Sequence, residues 1–248
     1  LTRVKTQSYT EADGIRGALE KIAKLRVDHP DDLDPSEFGP QAVADFIQIA
    51  RMVTYSDMAN RRHNPGRALR RNLARMLESV EAMVACKERF GLEFGEVQAE
   101  VGDARDLGPV GLQDGAVDAI VTSPPYSIAL DYVKNDAHAL EALGCDLGGL
   151  RQRVIGVRGK GTRNRLSNYV ADLKASFREM ARVLKPGGRA VVVIGNATVN
   201  KREVATTEEM VGWAEEVGLD LERQMPKIVY GLYNVMADEK ILFFVRRQ

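Results

Sequence analysis

The chain reads Val117-Asp118-Ala119-Ile120-Val121-Thr122-Ser123-Pro124-Pro125-Tyr126, an apolar run that passes directly into a polar, proline-rich turn. The apolar run predicts a buried strand, and the turn predicts its end. The two prolines fix φ and donate no backbone N–H, so the carbonyls around them can accept hydrogen bonds from a ligand. A serine hydroxyl before the prolines and a tyrosine ring after them suit a pocket for a flat ligand that carries an amino group. A strand-ending turn without a ligand is the alternative at this point.

The composition is that of an ordinary soluble globular protein. The 248 residues are 44% hydrophobic and 28% charged, and their net charge is zero. No apolar stretch reaches the roughly 18 residues that span a membrane, and the first residues show no signal-peptide pattern. Cys86 and Cys145 lie far apart and the three histidines are scattered, so no metal-ligand spacing is present. We therefore expect a cytoplasmic protein with reduced thiols, no metal site and no membrane partner.

The second half of the chain alternates strand and helix patterns. Strands are predicted at Val97–Val101, Val117–Thr122, Ala190–Ile194, Leu219–Tyr230 and Lys240–Val245. Helices are predicted at Tyr132–Leu143, Tyr169–Leu184 and Thr207–Val217, the last with Thr206 or Thr207 as its cap. The run at Ala190–Ile194 is apolar throughout, which predicts a strand buried on both faces. Lys185–Gly188 predicts a turn, and residues 144–166 predict a long loop. The alternation predicts an open α/β sheet.

The first half of the chain shows helical patterns only. Apolar stripes at helical spacing predict helices over residues 10–27, 40–53 and 67–90, and Gly91 predicts the end of the third. We therefore divide the chain into a mostly helical segment, residues 1–96, and an α/β domain, residues 97–248.

Polar residues follow three of the predicted strands. Asp103 follows the strand at Val97–Val101, and Asn196 follows the strand at Ala190–Ile194. The Ser-Pro-Pro-Tyr turn follows the strand between them. Because ligands of open α/β sheets bind beyond the carboxyl ends of the strands, these residues predict one site. A simple turn or helix cap is the alternative for Asp103, and a strand-ending turn is the alternative for Asn196.

The order of these motifs resembles the S-adenosylmethionine-dependent methyltransferases that modify exocyclic amines of DNA bases. Gly102-Asp103-Ala104, the turn Thr122–Tyr126 and Leu184-Lys185-Pro186-Gly187-Gly188 carry the resemblance, which covers residues 97–248. Ser-Pro-Pro-Tyr is similar to the cytosine-N4 branch, whereas adenine-N6 enzymes more often carry Asp or Asn in place of Ser123. The resemblance implies a Rossmann-like methyltransferase sheet with an antiparallel C-terminal strand.

The resemblance also implies an activity and a set of site residues. The activity is site-specific transfer of a methyl group from S-adenosylmethionine to an exocyclic amine in DNA, cytosine N4 first, as in restriction-modification systems. In this interpretation the Ser123 side chain and the Pro124 carbonyl accept the amine hydrogens, and Tyr126 stacks on the base. The implied catalytic residues are Ser123, Pro124, Pro125 and Tyr126. The implied cofactor-binding residues are Asp103, which would hold the adenine amine, together with Ala104, Thr122 and Asn196.

One motif of this family is missing from the expected place. The family's Phe-x-Gly-x-Gly cofactor loop does not occur before residue 97, since Phe90–Gly95 has the wrong spacing and follows a predicted helix. Leu1–Thr6 resembles the helix that follows the family's second strand. We therefore expect that the chain lacks the first two strands and the main cofactor loop, and that residues 7–96 are a helical insertion. The strand at Val117–Val121 would then have an exposed edge.

Two groups of basic residues suit contacts with nucleic-acid phosphates, although solvated charged faces are the alternative. The first is the arginine-rich stretch from Arg61 to Arg75. The second lies in the predicted loop and consists of Arg151, Arg153, Arg158, Lys160, Arg163 and Arg165.

Two other functions stay open beside a DNA methyltransferase. One is an RNA base methyltransferase of the guanine-N2 type, and the other is a truncated, non-catalytic module that binds nucleic acid or a partner subunit. The sequence does not determine the oligomeric state.

Overall fold

The computed structural model describes residues 1–60, 64–125, 131–199, 202–204, 206–227 and 239–248. The helices of these ranges are α1 (Thr2–Gln7), α2 (Ala12–Lys24), α3 (Gln41–Asn60), α4 (Pro65–Phe90), α5 (Tyr132–Asn135), α6 (Ala137–Ala142), α7 (Leu147–Arg153), α8 (Gly161–Val183) and α9 (Thr206–Glu216). The strands are β1 (Val117–Thr122), β2 (Leu184–Gly195), β3 (Ala197–Val199), β4 (Arg202–Val204), β5 (Leu219–Lys227) and β6 (Glu239–Arg246). None of the helices described is long and apolar enough to cross a membrane.

The chain divides into two compact units. The first consists of Leu1–Ala99 with Asp136–Cys145, and the second consists of Glu100–Asn135 with Asp146–Gln248. The first unit is helical: α2, α3 and α4 share a core in which Phe46 and Leu69 are fully buried.

The helix patterns of the first half are confirmed. The Asn64 side chain caps α4 by accepting a 2.9 Å hydrogen bond from the N–H of Arg67, and Pro65 opens the helix. Gly91 ends α4 in the left-handed region, at a φ of 59°. These local signals define the helix ends without help from the rest of the chain.

The second unit is built on a four-stranded sheet in the order β1-β2-β6-β5. β1 and β2 are parallel, with Ile120 opposite Ala190, and β6 runs antiparallel to both β2 and β5. Helices α8 and α9 share one apolar core with the sheet, in which Phe177 and Phe244 meet edge to face. The mixed sheet confirms the α/β fold class with an antiparallel last strand.

Strand β2 is less buried than its sequence predicts. Ala190, Val192 and Ile194 are fully buried, whereas the alternate residues Val191 and Val193 are only half-buried. The prediction of burial on both faces was therefore wrong, because α8 and α9 form the core against one face of the strand.

The predicted turn at Lys185–Gly188 lies inside β2 as a bulge. Val117 pairs with Leu184 and Ala119 pairs with Arg189, so four residues of β2 stand opposite one residue of β1. Gly187 has a φ of 76°, which glycine adopts without strain. The turn that the sequence predicts before the strand is therefore present as a bulge within β2.

Two strand predictions differ from the structure. Residues Val97–Val101 form no strand, and Val101 is 99% exposed, since this alternating stretch pairs with no strand among the described residues. β1 forms as predicted but is not buried, because in the described ranges it pairs on one side only, with β2. Val121 is accordingly 79% exposed. The expected exposed edge of β1 is therefore present, and its expected burial is not.

The helical segments between β1 and β2 are also arranged differently from the prediction. The single helix predicted at Tyr132–Leu143 is two short helices, α5 and α6, broken at Asp136. The predicted loop at residues 144–166 contains α7 and the first turns of α8. Leu147, Leu150 and Val154 in this stretch recur at helical spacing and are half-buried, a signal that the glycines and arginines around them obscure.

Candidate functional site

A cavity of about 360 Å³ lies beside the carboxyl end of β1, within the second unit. Thr122, Ser123, Pro124 and Pro125 line it from the turn after β1, and Ala104 lines it from the segment before β1. A cavity of this size lies in the range of small-molecule sites. Five of the residues predicted for the site therefore surround one cavity.

The remaining walls of the cavity are mostly apolar. Leu173, Phe177 and Met180 of α8 face it, and so do Leu107 and Ile120. Because small-molecule sites are mostly apolar with a few polar groups, this cavity can take an apolar ring that carries polar substituents.

The turn after β1 is tied to α8 by a hydrogen bond. The Tyr169 hydroxyl, on a side chain that is 1% exposed, donates to the carbonyl oxygen of Pro125 at 2.8 Å. Pro125 lacks an N–H, so its carbonyl is its only backbone group that a hydrogen bond can hold. Tyr126 lies outside the described residues, and its stacking role stays a prediction.

Asp103 lies in a tight turn rather than at the predicted end of a strand. Its carbonyl accepts a 3.0 Å hydrogen bond from the N–H of Asp106. Its carboxylate accepts from Arg105, at 2.9 Å from the backbone N–H and from Nε and at 2.6 Å from Nη2. The hydrogen bond from the Arg105 guanidinium lowers the pKa of Asp103, so this carboxylate is a stable, ionised acceptor.

Arg105 also reaches a buried carboxylate that the sequence did not single out. Its Nη1 donates to Oδ1 of Asp172 at 3.1 Å, and its Nη2 donates to the carbonyl of Arg153 at 3.1 Å. Arg158 donates to the same Asp172 oxygen at 2.6 Å. Asp172 is 4% exposed and stands on the buried stripe of α8, between Tyr169 and Leu173. A charged residue inside a predicted apolar stripe is the signal that could have identified it.

Asn196 caps a helix instead of lining the cavity. Its Oδ1 accepts hydrogen bonds from the N–H and the hydroxyl of Thr207, in the first turn of α9. Asn196 is absent from the residues described around the cavity, and its cofactor role stays a prediction. The sequence predicts Thr206 or Thr207 as the cap of α9. In the structure the amide oxygen of Asn196, the residue after β2, accepts the hydrogen bonds from Thr207.

The basic residues of the second group divide into two sets. Arg151 and Arg165 both pair with Asp131, and Arg158 pairs with Asp172. The other three are exposed and form no ion pair within the described ranges: Arg153, Lys160 and Arg163. The second set is therefore the one available to an external anion.

Two arginines of the first basic group, Arg70 and Arg71, bind other residues of the helical unit. Arg70 donates to the carbonyls of Ile22 and Leu25 at 3.1 and 2.7 Å, and Arg71 pairs with Asp57 at 2.8 Å. Arg61 and Arg62 lie outside the described residues. Intramolecular partners thus account for the two central arginines of this group.

Comparisons with known proteins place the chain in a family. A family model described as DNA methylase, of the N6/N4 type, matches residues 117–247, which is more than half of the chain. A solved structure of a candidate DNA modification methylase from Thermus thermophilus is 22% identical, with a TM-score of 0.36, over 60% of this chain and 53% of that chain. The structure of that protein complexed with S-adenosyl-L-methionine is 20% identical, with a TM-score of 0.36, over 60% and 52% of the two chains.

This chain thus spans about half the length of those solved proteins. No curated protein matches it. The family model alone covers the sheet, the turn after β1 and α8, and on that match the chain belongs to the N6/N4 DNA methylase family.

Proposed function

We propose that this protein transfers a methyl group from S-adenosylmethionine to an exocyclic amino group of a DNA base, with cytosine N4 as the first candidate. Membership of the N6/N4 DNA methylase family supports methyl transfer to DNA. The observation that carries the proposal is the cavity that the turn Thr122–Pro125 and Ala104 line together. Ser123, Pro124 and Pro125, which are expected to hold the acceptor base, thereby share a cavity with Ala104 and Thr122, which are expected at the cofactor.

The turn supplies what the acceptor amine needs. An exocyclic aromatic amine is a poor nucleophile because its lone pair is delocalised into the ring. In the proposal the Ser123 side chain and the Pro124 carbonyl accept its two N–H groups, which draws the nitrogen toward a tetrahedral shape. Tyr126 stacks on the base, a contribution of roughly 1–3 kcal/mol in single-strand binders. The nitrogen then gains the methyl group as the methyl–sulfur bond of the sulfonium breaks to leave a neutral thioether, and it releases one proton to water, without a covalent bond to the protein.

The wall of the cavity at Ala104, together with the adjacent Asp103, which does not itself line the cavity, fits the adenosine part of the cofactor. When bound, S-adenosylmethionine supplies an electrophilic methyl group on its sulfonium. The apolar walls at Ala104 and Leu107 suit the adenine ring. The Asp103 carboxylate, which Arg105 keeps ionised, suits the adenine amino group as a hydrogen-bond acceptor. The main work of the protein in this scheme is positioning.

The exposed basic residues fit the DNA backbone. A base in a duplex must be flipped out to reach such a cavity, and phosphate contacts hold the strand while it is extruded. We assign these contacts to Arg153, Lys160 and Arg163, because their charges are not neutralised by ion pairs in the part of the chain described. Arg151, Arg158 and Arg165 would then support the segment that carries them.

The choice of cytosine N4 rests on Ser123. In the methyltransferase family that this sequence resembles, adenine-N6 enzymes more often carry Asp or Asn at this position. Adenine N6 is therefore the second candidate.

Two measurements on the chain test the proposal. Calorimetry with S-adenosylmethionine should show binding, and mass spectrometry of nucleosides after incubation with DNA should show N4-methylcytosine. N6-methyladenine would overturn the choice of base, and methylation of RNA alone would overturn the choice of nucleic acid. A chain that binds no cofactor and methylates neither polymer would favour the non-catalytic module.

A further inference from the structure

We propose that Tyr169 and Asp172 of α8 are positioning residues that hold the two halves of the site in place. Tyr169 holds the turn Thr122–Pro125, and Asp172 holds the Asp103 turn through Arg105. The inference rests on the proposed function, because it assigns the first turn to the acceptor base and the second to the cofactor.

Tyr169 acts on the acceptor half through one atom. Its hydroxyl donates to the Pro125 carbonyl at 2.8 Å, and its ring is buried in the core of the second unit. Two successive prolines leave the turn without N–H donors at positions 124 and 125, so a carbonyl is the place where a side chain can fix it. Loss of the hydroxyl would leave the ring packed and release the turn.

Asp172 acts on the donor half through a fork of hydrogen bonds. Arg105 lies between two carboxylates, with Nη2 on Asp103 at 2.6 Å and Nη1 on Asp172 at 3.1 Å. A guanidinium is planar and presents its N–H groups in a fixed geometry, so it transmits the position of one carboxylate to the other. Asp103 is therefore oriented by a residue 69 positions along the chain, from 103 to 172.

The burial of Asp172 is hard to explain by stability alone. Among the described residues its Oδ2 and the Nε of Arg158 are buried without a hydrogen-bond partner. A buried ion pair with unsatisfied atoms gains little over apolar residues of similar size, and the unsatisfied atoms carry a desolvation cost. A polar cluster of this kind is consistent with a positional role, in which the direction of Arg105 matters more than the energy of the pair.

The two residues share one rigid support. Positions 169 and 172 are three apart, so they lie on the same face of α8, and both are buried. Leu173 and Phe177 on that face also line the cavity. Binding groups held by buried positions on a helix keep their geometry better than groups held by loops alone. α8 would thus set the distance between the acceptor turn and the donor turn.

Hydrogen exchange of the unliganded chain tests this assignment. Tyr169→Phe should speed exchange of the Thr122 and Ser123 amides by about tenfold and leave the Arg105 and Asp106 amides unchanged. Asp172→Asn should do the reverse. Tyr55→Phe is the matched control, because it removes a hydroxyl that donates to Asp31 in the helical unit, and it should change neither turn. The inference would be overturned if each variant loosened both turns. It would also be overturned if neither variant loosened the turn assigned to it.

Arg105→Lys covers the case in which Asp172→Asn does not fold. An ammonium keeps the charge but cannot span two carboxylates, so this variant should loosen the Asp103 turn alone. In the active protein, Tyr169→Phe should lower kcat about tenfold with the Kd for S-adenosylmethionine unchanged, and Arg105→Lys should raise that Kd about tenfold. An equal effect of both variants on both quantities would contradict the assignment. If the wild-type chain transfers no methyl group, the proposed function fails, and the exchange pattern still decides the positioning roles.

Discussion

Asn196, at the end of β2, accepts two hydrogen bonds from Thr207 of α9, at 3.1 Å from the backbone N–H and at 2.8 Å from the hydroxyl. The amide oxygen thereby satisfies one of the donors that the first turn of a helix leaves without an intrahelical partner. These hydrogen bonds also link the carboxyl end of β2 to the first turn of α9. Asn196 therefore has a structural role as a helix cap, which can be tested separately from its predicted role as a cofactor contact.

Replacement of Asn196 by alanine should lower the free energy of unfolding by about 1 kcal/mol, since loss of a capping side chain typically costs about that much. Denaturant titration measures this, and Asn196→Asp, which keeps the acceptor oxygen, should recover most of it. If Asn196 also contacts the cofactor, alanine should in addition weaken S-adenosylmethionine binding at a temperature where the variant is folded. Unchanged stability of the alanine variant would contradict the capping role.

Gly188→Ala should destabilise the protein by about 1–3 kcal/mol through overpacking. A Cβ at Gly188 would lie 2.8 Å from the carbonyl oxygen of Lys185 and 3.0 Å from that of Asp118, and both atoms belong to backbone that cannot move freely. Gly212→Ala is the matched control, because a Cβ there meets nothing within 4 Å and alanine favours the helix α9. Thermal denaturation should show a lower Tm for the first variant and an equal or higher Tm for the second. Equal melting of both variants would argue against the close approach of β1 and the bulge.

Stability should fall with acid through Glu179. Hydrogen bonds from Arg182, and one from the N–H of Leu107, lower the pKa of Glu179 to about 2. Because the folded pKa lies below the ordinary value of 4.5, the unfolded chain takes up the proton first. This contribution to stability is complete above about pH 4.5 and is lost as the pH falls toward about 2.

Glu179→Gln should therefore show a shallower loss of unfolding free energy across that window, measured by denaturant titration at several pH values. In an Arg182→Gln background the same change should have a smaller effect. A variant whose stability follows the wild-type pH profile would show that Glu179 does not contribute.

DNA binding should depend on the exposed basic residues of the second unit. Replacing Lys160 and Arg163 by alanine should weaken DNA binding for all sequences alike, and should reduce the slope of log K against log salt by about one per contact removed. The control is Arg178→Ala, which removes an exposed arginine of α8 and should leave the slope unchanged. Fluorescence anisotropy at several salt concentrations measures both quantities. A slope that the double variant shares with the wild type would remove these residues from the interface.

Much of the fold could be predicted from local patterns. The apolar stripe of α8, the terminal glycine of α4 and the apolar run of β2 each predict an element from neighbouring residues in the sequence. Residues 97–101 show the limit of local patterns, since their alternating sequence pairs with no strand in the part of the chain that the structure describes. The predicted burial of β1 was wrong for a similar reason, because the burial of a strand depends on the elements that pack beside it and not on its own sequence.

The candidate site shows the same division. The Ser-Pro-Pro turn and Ala104 could be found because their residue types and order resemble a known family, and the structure brings them to one cavity. The supports of the site could not be found in this way. Tyr169 meets Pro125 and Asp172 meets Arg105 across 44 and 67 residues of sequence, so only the folded chain shows that they are partners.

In the proposed function, the turn at Ser123 is the methyl-acceptor site. Its most direct test is the single-turnover rate of methyl transfer to DNA by the wild type, by Ser123→Ala and by Ser167→Ala, an exposed serine of α8 that serves as the control. We expect Ser123→Ala to slow transfer about 10- to 100-fold while binding of S-adenosylmethionine stays at the wild-type level, and we expect the control to transfer at the wild-type rate. Transfer by Ser123→Ala at the wild-type rate would contradict it.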